Sequence, residues 1–300
     1  MKVKIGSRKS SLAMWQSRQI AGLIEGAHDD VEVSIIGMET TGDRRGDEPL
    51  PEIGAKGLFT AELEQALLDD DIELAVHSLK DLPSTLPDGL RVAGTPRRGT
   101  PTDAFISTRW DSFEQLPENA TVATGSQRRR SQLLSRRPDL ELVNLRGNIE
   151  TRLQKLDDHG YDGIIMATIA LERLEMTDRI TTELDPGRHV PAVSQGAIGI
   201  ETRIGRQEID EILAPIFDDE SVAAVEAERT FMRRLDGGCS VALGGYARRD
   251  GDQWIFSGWA SSNDGQTALH DQIEGSDPTE LADRMADEFL ASGARELLHS

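Results

Sequence analysis

A single cysteine follows two glycines in this chain of 300 residues. The stretch 235–241 reads LDGGCSV, and Cys239 is its cysteine. A lone cysteine cannot form a disulfide within the chain, and most such residues are small buried hydrophobes. Gly237 and Gly238, however, would allow a turn or the close approach of a bulky group. Cys239 is therefore a candidate for covalent attachment or nucleophilic attack, with an inert buried thiol as the alternative.

Two charged residues follow a predicted buried strand at 72–77. Lys80 and Asp81 come just after its carboxyl end. Open α/β sheets place their ligands at this edge, so both side chains are candidates for chemistry. A structural salt bridge is the alternative interpretation.

The charge balance makes arginine clusters informative. The chain has 53 acidic and 33 basic residues, a net charge of -20 and a sequence pI of about 4.7. This field excludes nucleic acid and anionic membranes as partners, and a dense acidic surface is typical of a protein that works in concentrated salt. Only six of the basic residues are lysines. In such a chain, clustered arginines indicate an anionic ligand.

Such a cluster is predicted in the middle of the chain. Strands at 121–124, 140–144 and 163–166 each lead into a helix, at 127–136, 149–156 and 168–174. Positive side chains at strand-to-helix turns favour anions, because the helix N-terminus adds its own positive field. Surface arginines that only aid solubility are the alternative. The arginines expected to gather at one edge of this sheet are Arg128, Arg129, Arg146, Arg152 and Arg173.

The remaining pattern alternates strands and helices. Arg8 and Lys9 lie between a first strand at 2–6 and a helix that Ser10 or Ser11 would cap. Residues 38–57 have little apolar periodicity and are expected to form a mobile active-site cover, with simple disorder as the alternative. Residues 96–101 resemble a hinge between domains. Further strands are predicted at 31–37, 90–95, 104–107, 191–200, 241–247, 254–260 and 267–273, and further helices at 60–68, 208–217, 221–235 and 278–298.

Four segments, in this order and spacing, resemble those of hydroxymethylbilane synthases, the porphobilinogen deaminase family. They are 75–83 (AVHSLKDLP), 145–148 (LRGN), 191–197 (PAVSQGA) and 237–239 (GGC). The resemblance extends from residues 6–8 (GSR) through the last predicted domain. Any one segment would be weak evidence, but the ordered set is specific.

The resemblance implies an α/β fold of three domains. Two would be lobes like type II periplasmic binding proteins, hinged over a cleft, and the third a small α+β domain. The implied bounds are 1–96 with 197–216, then 100–192, then 219–300. The family joins four porphobilinogen molecules head to tail, releases ammonia each time and forms hydroxymethylbilane. We therefore expect a transferase of porphyrin and tetrapyrrole biosynthesis that is cytoplasmic and monomeric, without a membrane, nucleic-acid or metal partner.

The resemblance also implies site residues. Asp81 would be catalytic, holding its carboxylate near the pyrrole N–H groups of porphobilinogen and the growing polypyrrole. A dipyrromethane cofactor would be bound to Cys239 through a thioether. Its further contacts would come from Ser78, Lys80, Thr124, Ser126, Arg128 and Arg129. Substrate contacts would come from Arg8, Ser10, Lys56, Phe59, Arg146, Arg152, Arg173 and Gln195.

Some positions depart from the family pattern. Ser194 replaces a common glycine, which puts the local backbone geometry in question. A non-catalytic solute-binding or regulatory protein of the same two-lobed shape is the main alternative, since fold does not imply function. A cysteine hydrolase would need a histidine base near Cys239, and the candidates, His189 and His270, lie in no motif.

Overall fold

The computed structural model of the chain describes residues 1–45, 58–238 and 241–299. Its strands are β1 (Lys2–Arg8), β2 (Glu32–Met38), β3 (Leu74–Ser78), β4 (Leu90–Gly94), β5 (Asp103–Ile106), β6 (Thr121–Ala123), β7 (Glu141–Val143), β8 (Gly163–Ala167), β9 (Thr182–Leu184), β10 (Ile198–Arg203), β11 (Leu243–Asp250), β12 (Gln253–Ser261) and β13 (Ala268–Gly275). Its helices are α1 (Ser11–Ala27), α2 (Thr41–Arg45), α3 (Ala61–Leu68), α4 (Gln127–Arg136), α5 (Ile149–His159), α6 (Thr168–Arg173), α7 (Gln207–Leu213), α8 (Asp219–Arg234), α9 (Pro278–Ala291) and α10 (Ala294–Leu297).

The chain divides into two compact units, and the first comprises Met1–Arg98 and Ala197–Val222. Its sheet has the order β2-β1-β3-β10-β4. β1 runs parallel to β2 and β3, whereas β10 runs antiparallel to β3 and β4. Val3 and Ile5 of β1 pack against Ile20 and Ile24 of α1, because both elements bury one apolar face. This core fixes the carboxyl ends of β1 and β3 side by side.

The second unit comprises Gly99–Gly196 and Ala223–Ser300 and contains a sheet of related design. Its order is β7-β6-β8-β5-β9, with β6 parallel to β7 and β8 and with β5 antiparallel to β8 and β9. Phe105 packs on one face of the sheet, and its neighbours Ala104 and Ile106 on the other. Both lobes therefore place an antiparallel strand in the fourth position of the sheet.

The same unit contains a separate antiparallel sheet with the order β11-β12-β13. The rings of Phe231 on α8 and Phe256 on β12 meet edge to face at 5.2 Å, and Phe289 on α9 meets Phe231 at 5.6 Å. These rings form the centre of their own apolar cluster. The predicted fold class, two α/β lobes with a small α+β domain, is confirmed. The domain bounds and the hinged cleft stay predictions.

Two predicted elements were wrong in extent. The return strand expected at 191–200 begins only at Ile198, because Ser194 and Gly196 have φ values of 62° and 92°, which no strand allows. The helix expected at 278–298 ends at Ala291, since Gly293 at φ 84° breaks it before α10. The short strand β9 was not predicted, nor was the short helix α2, which lies inside the loop predicted at 38–57.

Candidate active site

A pocket in the first unit contains several of the predicted site residues. Its lining includes Arg8, Ser10, Phe59, Ser78 and Asp81. Arg8 ends β1 and Ser78 ends β3, and these strands are parallel neighbours in the sheet. The pocket therefore lies at the carboxyl edge of the sheet, where the sequence predicted it.

Asp81 is presented by a short 3-10 turn that follows β3. Leu79, fully buried, donates its backbone N–H to the carbonyl oxygen of Ala197 at 3.1 Å. Leu82 donates its backbone N–H to the carbonyl of Leu79 at 3.2 Å and is also buried. With both leucines anchored in the core, the Asp81 side chain is exposed at the pocket, while Lys80 is half-buried. The turn thus holds a carboxylate in place without enclosing it.

Arg8 is already engaged by an internal carboxylate. Its Nε donates to Oδ2 of Asp43 at 3.2 Å, and its Nη2 donates to Oδ1. The guanidinium carbon also lies 4.3 Å from the ring centroid of Phe59. Burial would raise the pKa of Asp43, but Arg8 and Thr40 outweigh burial and hold the pKa below its usual value. Asp43, in the run TTGDRR, was missed as a site residue, because it lies within the predicted loop at 38–57 and nothing local links it to Arg8.

The predicted serine contacts of this pocket have internal partners as well. Ser10 caps α1, with its Oγ accepting from the backbone N–H of Ala13 at 3.4 Å. Ser78 Oγ accepts from the side-chain amide of the buried Gln16 at 2.9 Å. Both hydroxyls therefore fix the pocket wall, and direct contacts from them to a ligand stay predictions.

Buried ionisable groups lie behind the same pocket. His77, which lines the pocket, places its Nε2 3.0 Å from Oε2 of Glu201 on the adjacent strand β10. Glu64 on α3 is also buried, and burial, reinforced by the charge of Glu201, raises its pKa. Glu64 and Glu201 were not predicted as site residues, because each lies in an apolar run that indicates only a core element.

In the second unit, two predicted cofactor residues converge on Asp103. Arg128 Nη2 lies 2.7 Å from Oδ2, while Arg129 Nε and Nη2 lie 3.0 and 2.7 Å from Oδ1. Asp103 is fully buried, and both arginines are nearly so. Burial would raise the pKa of Asp103, but the charges of Arg128 and Arg129 hold it far below its usual range. The sequence indicated an anion for these arginines, and in this structure they bind one supplied by the protein.

The other predicted residues of this unit are distributed around the sheet. Gln195 Nε2 donates to Oδ1 of Asp103 at 2.9 Å and to the carbonyl of Pro101 at 2.7 Å. Arg173 Nη2 donates to the carbonyl of Gly196 at 2.8 Å, and burial lowers its pKa to about 10. Arg152 Nε donates to the carbonyl of Gly147 at 2.8 Å. Arg146 is half-buried at the turn before α5.

Thr124 and Ser126 shape the turn that starts α4. Thr124 Oγ1 accepts from the backbone N–H of Ser126 at 3.3 Å, and Ser126 Oγ accepts from that of Arg129 at 3.4 Å. Ser126 is thus the N-cap of the helix that carries Arg128 and Arg129. Lys56 and Cys239 lie outside the described residues, as does most of the predicted loop at 38–57.

Two kinds of feature are absent from the described ranges. No set of histidine, cysteine, aspartate and glutamate side chains there is arranged to hold a metal ion. No helix there has the length and apolar character that crossing a bilayer requires.

The fold defines a class: a lobed α/β protein whose parallel strands lead into segments with charged side chains, Asp81 after β3 and Arg128 and Arg129 after β6. Residues 3–211 match the family model "Porphobilinogen deaminase, dipyromethane cofactor binding domain", and residues 222–291 match "Porphobilinogen deaminase, C-terminal domain". The chain belongs to the porphobilinogen deaminase family.

Relatives support this membership over the whole length. A porphobilinogen deaminase from Methylobacillus flagellatus is 44% identical over 296 residues, which cover 98% of this chain and 96% of the relative. One from Staphylococcus carnosus is 42% identical over 299 residues, covering 99% and 97%. Among solved structures, a nutrient binding protein from Burkholderia cenocepacia has a TM-score of 0.45 and 14% identity, covering 74% of this chain and 93% of that chain.

Proposed function

We propose that this chain joins four porphobilinogen molecules head to tail, with release of ammonia, to give hydroxymethylbilane. In each step the bond between the aminomethyl carbon and its nitrogen breaks and ammonia leaves. The same carbon then bonds to the free ring carbon of the neighbouring pyrrole, which loses its proton. After the fourth joining, the bond that holds the tetrapyrrole to the protein-bound primer would break, with water supplying the hydroxyl group to the freed carbon and a proton to the ring carbon that it leaves. The observation that carries the proposal is the position of Asp81, exposed in a pocket with Arg8 at the carboxyl edge of the sheet.

Asp81 is suited to the charge that this reaction develops. Loss of ammonia leaves a cationic fragment of porphobilinogen, and the attacking pyrrole becomes positive in turn. A carboxylate fixed near the pyrrole N–H groups would stabilise both charges and could pass the released proton on. Since Leu79 and Leu82 anchor the turn, Asp81 would need little reorganisation to do so.

The arginines are suited to the acetate and propionate groups of the substrate. A guanidinium binds a carboxylate through two parallel hydrogen bonds, which a lysine cannot do. Arg8 in the first unit and Arg146, Arg152 and Arg173 in the second would share this task, with Gln195, Ser10, Phe59 and Lys56 as further contacts. Exposed ion pairs are weak, so several arginines are needed to hold a growing chain.

The residues fit a dipyrromethane cofactor. Two guanidinium groups face one buried carboxylate at Asp103, and Arg128 Nε is buried without a hydrogen-bond partner among the described residues. That leaves a surplus positive charge and a free donor, which match a carboxylate-bearing group. When bound, dipyrromethane would supply the primer to which porphobilinogen is joined. Arg128, Arg129, Lys80, Ser78, Thr124 and Ser126 would hold it, and the Cys239 sulfur would carry it.

An intact-mass measurement of the purified protein tests the proposal. From a host that makes porphobilinogen, the wild type should carry an added mass of two linked pyrrole units, located on the peptide that contains Cys239. Cys239→Ser should lack the added mass and the activity yet remain folded, whereas its neighbour variant Ser240→Ala should keep both. An unmodified, inactive wild type would favour a solute-binding protein of the same fold.

Light scattering checks the expected monomer, and cell fractionation checks the expected cytoplasmic location.

A further inference from the structure

The carboxylate of Asp103 joins two consecutive helical residues. Neighbouring side chains on a helix point about 100° apart and do not normally share a partner. Arg128 and Arg129 nevertheless meet at Asp103, each bonded to a different oxygen of the carboxylate. Asp103 itself is fixed at the start of β5, where it pairs with Ala167 on one side and Leu184 on the other. The meeting point is thus set by the sheet and not by the helix.

Further hydrogen bonds fix the two guanidinium groups and the carboxylate. Arg128 Nη1 donates to the carbonyl of Val190 at 2.7 Å, and Arg129 Nη1 donates to that of Ile165 at 3.2 Å. Gln195 donates to the same Asp103 oxygen as Arg129. The two guanidinium groups therefore have little freedom to rotate, which lowers the entropy they would lose on binding a ligand.

The buried charges do not balance within this group. Arginine stays protonated in proteins, so Arg128 and Arg129 supply two positive charges against the one negative charge of Asp103. His189 Nε2 lies 3.5 Å from Asp103 Oδ2, and its burial favours the neutral ring. Among the described residues of this group, one buried positive charge is therefore left uncompensated, and a bound anion would offset it.

We infer that Asp103 is a positioning residue that holds Arg128 and Arg129 ready for a carboxylate of the dipyrromethane cofactor. This inference rests on the proposed function. The negative charge of Asp103 matters as well as its shape. An asparagine of the same size would place an amide NH2 against guanidinium donors, and the buried excess of positive charge would rise from one to two.

The size and the charge of the side chain can be separated by two variants. Asp103→Asn keeps the size and loses the charge, whereas Asp103→Glu keeps the charge and adds a methylene group to a fully buried site. If Asp103 has a positioning role, cofactor loading should be highest in the wild type, lower in Asp103→Glu and lowest in Asp103→Asn. If Asp103 serves only in packing, loading should be higher in Asp103→Asn than in Asp103→Glu, because the larger glutamate must be forced into a filled core.

Intact mass gives the loaded fraction of each protein, and thermal unfolding gives the folded fraction. Loading should fall about tenfold or more in Asp103→Asn and less in Asp103→Glu, since hydrogen bonds to charged groups are the strong ones. Asp139→Asn is the matched control: it removes an aspartate paired with Arg137 at 2.6 Å on the surface of the same unit, and loading should stay at the wild-type level.

The outcomes separate this inference from the proposed function. An unloaded wild type would contradict the proposed function itself. The positioning role alone would be overturned in either of two cases in which the wild type is loaded. In the first, Asp103→Asn is loaded as well as the wild type. In the second, Asp103→Asn is loaded more than Asp103→Glu. Failure of both variants to fold would assign Asp103 to the stability of the core and would overturn it too.

Discussion

Arg8 and Asp43 form a bidentate ion pair within the candidate active site, in which Arg8 Nε lies 3.2 Å from Asp43 Oδ2. The same guanidinium is proposed to bind a substrate carboxylate, so Asp43 competes for it. Asp43→Asn would remove the competing charge while keeping the size of the side chain. We expect KM for porphobilinogen to fall about threefold to tenfold, a change on the order of 1 kcal/mol for this partly exposed pair. Steady-state kinetics measures it. A higher KM at unchanged thermal stability would instead mean that Asp43 positions Arg8.

Asp81→Ala should nearly abolish turnover and preserve the fold. The side chain is exposed, so its removal leaves no cavity. If it stabilises the developing positive charge, kcat should fall by about 100-fold or more. Ammonia release measures turnover, and thermal unfolding measures stability. Asp88→Ala, a nearby exposed aspartate on the way to β4, serves as the control and should have normal activity. Normal kcat in Asp81→Ala would exclude the proposed role.

Local patterns predicted most of the elements, because helix caps and apolar periodicity are properties of neighbouring residues. Ser10 or Ser11 was predicted to cap α1, and Ser10 does so. The bounds of α4 agree with the sequence prediction. The partner of Arg128 and Arg129 could not be found in this way. Asp103 lies 25 residues before Arg128, and no local rule links a strand-leading aspartate to a later helix. The only available signal was the physical need of a buried arginine pair for a counter-ion.

Backbone conformation at 191–197 escaped prediction for a similar reason. The run PAVSQGA has the composition of a strand, but tertiary hydrogen bonds set its dihedral angles. The Ser194 N–H donates to Glu228 at 2.6 Å, and Gln195 is held by Asp103. Lys80 and Asp81 could be predicted as candidates for chemistry, because the placing of ligands at the edge where parallel strands end is a general rule of α/β sheets.

His189 should make stability depend on pH in the weakly acidic range. Burial lowers its pKa to about 3, with Arg128 and Arg129 adding to the effect and Asp103 opposing it. Since the pKa in the folded state is below that of the unfolded chain, about 6.5, the contribution is fully present above pH 6.5 and is lost as pH falls towards 3. The slope from this group is at most about 1.4 kcal/mol per pH unit.

Urea unfolding of His189→Gln between about pH 7 and about pH 5 checks this expectation. The variant is expected to be less stable at neutral pH, because it changes a filled core, but its stability should fall less steeply with acid. His299→Gln, at an exposed histidine, should keep the wild-type slope. Equal slopes in the wild type and His189→Gln would mean that His189 does not titrate on unfolding.

The net charge of -20 should make stability rise with salt. The excess negative charge repels itself in the folded state, and the Debye length falls from about 10 Å at 0.1 M to about 3 Å at 1 M. Thermal unfolding at both concentrations of KCl should show a higher Tm in the more concentrated one. Sucrose, which stabilises without screening, should not reproduce the salt dependence at low ionic strength. Salt-independent stability would contradict the predicted salt adaptation.

Ser194→Gly should stabilise the protein. Ser194 has a φ of 62° and is fully buried, and its Oγ has no hydrogen-bond partner among the described residues. The left-handed conformation costs a residue with a side chain about 1 to 2 kcal/mol, and a buried unpaired hydroxyl costs about as much again. Glycine removes both costs, but it also gives the unfolded chain more conformational entropy, which opposes folding. We therefore expect the free energy of unfolding to rise by about 1 kcal/mol.

Urea unfolding measures this gain, and Ser194→Ala separates its two sources. The alanine variant removes the hydroxyl but keeps the cost of the positive φ, so its stability should lie between those of the wild type and Ser194→Gly. The Ser194 N–H bond to Glu228 is a backbone bond and should persist in both variants. If Ser194→Gly is no more stable than Ser194→Ala, the positive φ costs this chain nothing, and the glycine common in the family has another cause.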